Sequence, residues 1–182
     1  MKPSVAIFAT GSFALVLASI IAGIRGNDVD DSKVYRLQSG TELVVAFIGS
    51  SSCHAADSTG FIEAIGRMKD LLSARAGRLG YRFATVGVAL DWRVKDGLQF
   101  LDRFGPFDEV VAGRNWLNTA AISYVWTDLH NRPAIPQVVI SLRQLTVGDT
   151  AIEVGQQRVL LRKSGVSEII RWIASTAPLP SP

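Results

Sequence analysis

The chain has 182 residues, of which 48% are hydrophobic and 19% charged, with a formal net charge of +3. Those values allow one domain of ordinary size with appendages and exclude a disordered, collagen-like or disulfide-scaffold protein. The basic residues (Arg67, Lys69, Arg75, Arg78, Arg82, Arg158, Arg162, Lys163) are scattered and not interleaved with aromatics. They read as solvated faces, and nucleic acid is not an expected partner.

Residues 1–25 read as a transmembrane anchor. Val5 to Ile24, VAIFATGSFALVLASIIAGI, carries no charge over twenty residues, and as a helix it would span roughly 30 Å, the hydrocarbon thickness of a bilayer. Lys2 resembles the positive start of a signal peptide. However, the apolar run is longer than such peptides use, and its exit, Ala22-Gly23-Ile24-Arg25, offers no A-x-A cleavage site. Lys2 and Arg25 nearly balance across the segment. A single anchor ahead of a globular domain commonly inserts with that domain exported, so the N-terminus is expected in the cytoplasm and the domain on the periplasmic side of the inner membrane. Ala14, Ala18 and Ala22 recur at every fourth position. They form either a face for packing against another membrane helix or simply reflect how common alanine is in such helices.

Residues 26–40 are polar and read as a linker, and residues 41–176 as the folded domain. Glu42–Ile48, ELVVAFI, is a continuous β-branched run suited to a strand covered on both faces. A Ser/Gly turn leads into a helix over 54–76 with Phe61, Ile65, Met68 and Leu72 one turn apart. A second central strand is expected over 81–90, a helix over 93–104 built on Val94, Leu98 and Leu101, and a short strand over 109–112. Asn115 is expected to cap a helix reaching about Trp126, with apolar residues at Leu117, Ile122 and Val125. Ile135-Pro136 precedes a strand over 137–142, and a β region follows over 151–162. Ser164 is placed to cap a last helix whose Val166, Ile169, Ile170 and Ile173 face the core. Residues 177–182 are expected to be a loose tail. The alternation implies an α/β fold, a mixed central sheet with helices on both faces.

This order resembles the thioredoxin-like superfamily, and more closely the bacterial membrane-anchored thioredoxin-like oxidoreductases (TlpA/ResA-type). In that resemblance, the strand ending in Phe47-Ile48 runs through a small-residue turn to Cys53, where the family places its redox motif. VGVALD (86–91) looks like the strand ahead of the family's helix–strand insertion, and residues 93–112 look like that insertion. Ile135-Pro136 stands where the family's cis-proline faces the active-site cysteine, which implies candidate roles for Cys53 and Pro136.

The departure lies in the motif itself. Cys53 is the single cysteine, so the sequence Ser50-Ser51-Ser52-Cys53-His54-Ala55-Ala56 lacks a resolving thiol. Cys53 and Ala56 stand at the two cysteine positions in one register, Ser52 and Ala55 in the other. A thiol at a helix N-terminus beside His54 would be biased toward thiolate; the plainer reading is a small residue left in a degenerate site. His54 and His130 are the only histidines and show no zinc spacing, so no metal or cofactor is expected. Trp92, Trp116, Trp126 and Trp172 read as core or interface packing. No small-molecule substrate is indicated. The expected function is an accessory or structural subunit of a membrane protein assembly, such as a respiratory or photosynthetic complex. Its expected partners are the bilayer, through residues 5–24, and other membrane subunits. The alternative is a monothiol thiol-disulfide oxidoreductase or holdase acting on exported proteins through Cys53.

Overall fold

The structure, a computed structural model, describes residues 38–126 and 133–180. The expected anchor with Ala14, Ala18 and Ala22, most of the linker, and His130 lie outside the described residues. Among the described residues no helix is long and apolar enough to cross a membrane.

Strand β1 (Gly40–Gly49) is buried from Glu42 onward. It lies between β2 (Arg82–Ala89), which pairs with it in parallel, and β4 (Gln137–Val147), which runs antiparallel. β3 (Glu109–Ala112) extends the sheet in parallel beyond β2. On the other flank, β5 (Ile152–Val154) and β6 (Arg158–Ser164) pair in succession with β4. The core order β2-β1-β4-β6, with a cis Ile135–Pro136 bond directly ahead of β4, fits a thioredoxin-like fold.

Alternation along β1 assigns the two layers. Leu43, Val45 and Phe47 face a cluster built from α1 (Thr59–Arg78), α2 (Val94–Asp102) and the C-terminal helix α4 (Val166–Ala174). Val44, Ala46 and Ile48 face α3 (Thr119–Ala121), which widens into a π-turn over Ile122–Trp126. Successive side chains of a strand point to opposite faces, so an all-apolar strand must be covered twice. Phe47 anchors the first layer, with the rings of Phe61, Phe100, Phe104 and Phe107 all within 6.4 Å of its centroid. Gly49 ends the strand under that cluster. A Cβ there would sit 2.6 Å from the Phe100 ring, so the close approach requires glycine.

Several local expectations need correction. The inward face of α2 is Gly97, Phe100 and Leu101, while Val94 and Leu98 are exposed. Gly97 is what turns the helix, since a Cβ there would meet Ala89 Cβ at 2.8 Å. Asn115 is not a helix cap: residues 115–117 form a 3-10 turn, and the Asn118 side chain accepts from the Ala121 amide at 2.7 Å. Leu117 and Ile122 are exposed. Ser164 does not cap α4, which starts after Gly165; its hydroxyl instead takes part in a bond with Gln137. Ile170 is partly exposed, and Trp172 takes the core position beside Ile169 and Ile173. The end of the chain is not loose as far as it is described: Ala177 is fully buried, and Trp172 Nε1 donates to Pro178 O at 2.9 Å.

Charged residues expected on solvated faces tie the layers together. Register places Glu42 opposite Arg82 on β2 and Arg143 on β4. Its carboxylate, 2% exposed, accepts from Arg82 Nη2 at 3.1 Å and from Arg143 Nε. Arg162 Nη1 donates to Tyr124 O and Gln137 Oε1, which joins β6 to the α3 segment and β4. Lys69 Nζ donates to Phe104 O at 2.9 Å and Pro106 O at 2.8 Å, and lies 3.6 Å from the Phe107 ring centre. Lys69 and Arg162 reach loop carbonyls that need a partner, while Arg82 and Arg143 satisfy the buried Glu42 carboxylate.

Replacing Glu42 with Ala leaves Arg82 and Arg143 facing each other across β1. The expected loss is about 2–3 kcal/mol, below the range for a fully buried pair because both guanidiniums touch water. Urea unfolding with an unchanged m-value measures it, and a loss under about 1 kcal/mol would mean the pair behaves like a surface one.

Burial lowers the Lys69 ammonium from 10.5 to about 8, with Asp108 and Asp70 opposing the shift. Between those pH values the unfolded chain holds a proton that the native chain releases. The cost of the buried charge is therefore full below pH 8 and relieved as pH rises toward 10.5. A titration of the Lys69 side chain by NMR is expected to show a midpoint near 8. A midpoint at the ordinary value would place the ammonium in water.

Candidate functional site

The carboxyl ends of β1 and β2 and the start of β4 meet at one end of the sheet, because Gly49 pairs with Ala89 and Ile48 with Gln137. Open α/β sheets place ligands at such strand ends. Three segments converge there: the turn Ser50–Cys53, the Asp91-Trp92 exit of β2, and Ile135-Pro136.

The serine turn is held by Asp91. This carboxylate is buried and accepts from the Ser51 hydroxyl at 2.5 Å, the Ser51 amide at 3.3 Å and the Ser50 hydroxyl at 3.4 Å. Ser50 and Ser52 hydroxyls pair at 2.9 Å, and Cys53 N donates to Ser50 O. Two serines of this turn thus supply three donors to one buried carboxylate.

Cys53 closes the turn, half-buried, with Sγ 3.8 Å from Ile135 O beside the cis peptide bond. The structure therefore brings Cys53 and the Ile135-Pro136 bond together. The thiol does not sit on the first turn of a long helix. A single 3-10 turn, His54–Asp57, follows it, and α1 begins only at Thr59. The aligned peptide dipoles expected to favour thiolate start several residues further on. His54 is 93% exposed and lies 3.6 Å from Asp57 rather than against the sulfur. The Asp57 carboxyl is held below its ordinary range, chiefly by hydrogen bonding to Arg103, with His54 adding to it. Ala56, three residues after Cys53, is fully buried, whereas Ala55 is exposed. The register that pairs Cys53 with Ala56 is thus the one whose second position faces the core, and a methyl fills it.

Around this turn the exposed side chains are mixed: Ser51, Ser52, His54 and the Asp57–Arg103 pair on one side, and aromatic and apolar residues on the other. Trp92, which follows Asp91, is 72% exposed, which removes the core alternative for it. Gly113, Arg114 and Asn115 all hold left-handed φ, and the Asn115 amide donates to Asp91 O. Beyond that kink Leu117 is exposed, and Trp116, partly buried against the second layer, pairs edge-to-face with Trp126, their centroids 5.9 Å apart. Trp126 Nε1 donates to Trp116 O, so the pair is fixed. Asn118 Nδ2 donates to Ala89 O and fastens the segment to the end of β2.

Sequence reasoning placed Cys53 and Pro136 at one site through the family resemblance. It did not assign Asp91 or Asn118 to the site, and it read Trp92 only as core or interface packing. The available signal was an acidic residue ending an apolar strand, which burial makes informative because it needs donors. Among the described residues no group of three or more His, Cys, Asp and Glu is placed to hold a metal ion.

No family model matches the chain. No curated protein matches it. Among solved structures, it is similar to a thioredoxin-family thiol:disulfide interchange protein from Chlorobium tepidum TLS, at 10% identity and a TM-score of 0.34, over 75% of this chain and 81% of that one. A likeness that distant adds nothing to what strand order and the proline already carry.

Replacing Asp91 with Ala removes the acceptor for three donors of the serine turn. The expected loss is about 1–3 kcal/mol, together with faster exchange of the Ser51 amide and faster alkylation of Cys53. Unchanged protection at Ser51 would mean that the carboxylate does not order the turn.

Proposed function

We propose that the chain is a thioredoxin-like binding module, an accessory or structural subunit of a membrane protein assembly. Residues 5–24 hold it to the bilayer, with the N-terminus cytoplasmic and the domain periplasmic. The partner docks at the end of the sheet where a thioredoxin-like oxidoreductase would carry its dithiol. The observation that carries this reading is the exposed Trp92 beside a site whose second thiol position is the buried Ala56 methyl. An indole left in water suits a protein interface, where tryptophans supply a large share of binding energy. Dithiol exchange has no second sulfur to use.

The nearness of Cys53 to the cis peptide bond favours a second reading, a monothiol activity on exported proteins. The Cys53 thiolate would attack a substrate disulfide and form a mixed disulfide, with the other substrate sulfur leaving as a thiolate. An external thiol would then have to resolve the adduct.

Purification of the full chain from its own membranes in mild detergent separates the two readings. A stoichiometric partner is expected to be retained by the native chain and by Cys53→Ser, and lost from Trp92→Ala. The loss corresponds to about 2 kcal/mol or more of binding energy. A lone monomer under every condition would sink the subunit reading, and partners that are released by reductant and absent from Cys53→Ser would favour the monothiol one.

A further inference from the structure

Toward the opposite end of the sheet, the final turn of α1, Tyr81 just ahead of β2 and residues 178–180 line a partly open cavity of about 370 Å³. That is within the size range of small-ligand sites. Its floor is Leu43 on β1, with Leu142 on β4 and Leu160 on β6. The outer wall is the C-terminal segment, including Leu179. Thr176 and Ala177 adopt left-handed φ values of 67° and 47°, which turns the chain back over the sheet. Arg75 fastens this strap by donating to Ala177 O at 2.8 Å and Thr176 O at 3.3 Å.

The chemistry of the lining is one-sided. Its polar side chains are Arg75, Arg78 and Tyr81, and it contains no carboxylate and no side-chain amide. Arg75 is bonded to carbonyls, which leave its charge uncompensated. Exposed Arg78 has no ion pair or hydrogen bond among the described residues. A polar ring or a peptide backbone would find few partners here. A ligand with one negative end and an otherwise apolar body fits both halves, because apolar burial supplies the affinity and the guanidiniums orient the head.

We infer that this cavity binds a single-chain anionic amphiphile, a long-chain carboxylate whose head lies at Arg78 and Arg75 and whose chain lies among the leucines under the C-terminal strap. The inference stands apart from the partner reading above, since it uses the other end of the sheet.

The test uses the full chain in phosphatidylcholine nanodiscs, irradiated with dodecanoate bearing a terminal diazirine and mapped by mass spectrometry. Labelling is expected on cavity residues, and it should saturate and be competed by dodecanoate more strongly than by dodecanol. Arg78→Glu should reduce it at least about fivefold, the scale of one or two solvent-facing charge contacts. Arg67→Glu, a charge reversal on the same helix away from the cavity, should leave it unchanged, and circular dichroism of both variants checks that they fold. Equal labelling of the two variants, or equal competition by dodecanol, would overturn the inference. So would an absence of cavity labels, as expected if the chain's own terminal residues fill the space. Labelling lost when phosphatidylglycerol is added to the nanodisc would overturn it in favour of a bilayer lipid.

Discussion

The burial of β1 on both faces is the constraint on which the rest of the structure depends. Each of its residues from Glu42 to Gly49 is removed from water, so neither face can be left to solvent and two layers must be assembled around it. Phe47 sets the first layer through its ring cluster, and the small residue Ala46 on the other face leaves room for the closely packed Ala120 and Ala121. The order of elements along the chain then leaves little freedom. β2 and β3 lie on one side in parallel, and the return of β4 fills the other side.

The candidate site is a consequence of that arrangement. Because β1 and β2 end level with each other, the chain leaves both at the same place, and the cis Ile135–Pro136 bond delivers β4 there from the opposite direction. A buried carboxylate at such a strand exit must be compensated locally. Asp91 is compensated by serine donors, and this fixes the turn that presents Cys53. Cys53 thus stands beside the cis peptide bond, and the core position three residues further on is filled by the Ala56 methyl.

Polar side chains behave differently from the apolar pattern. Lys69, Arg75, Arg82 and Arg162 look like ordinary surface residues along the chain, yet each reaches backbone carbonyls or a buried acid. Long basic side chains can lay their stems on apolar surface and carry their donors to wherever a carbonyl lacks a partner. The partner is set by chain segments that lie far apart in sequence. Glu42 meets Arg143 across 101 residues, and nothing local to either residue announces the pairing.

By itself the sequence determined the element order, the doubly buried strand, the inward stripe of α1 and the absence of a second thiol. These follow from hydrophobic period and composition, which are local properties of the chain. The meeting of Cys53 with the Ile135-Pro136 bond was legible only through resemblance. The tertiary structure alone decided that Gly97 rather than Val94 faces the sheet, that Asn118 rather than Asn115 caps its helix, and that the last residues form a strap. It also decided that Trp92 stands in water and that Cys53 precedes a 3-10 turn instead of a long helix. Each of these depends on which distant atoms fill a given volume, through close approach, an available acceptor or an uncovered face, and no window along the chain contains both partners.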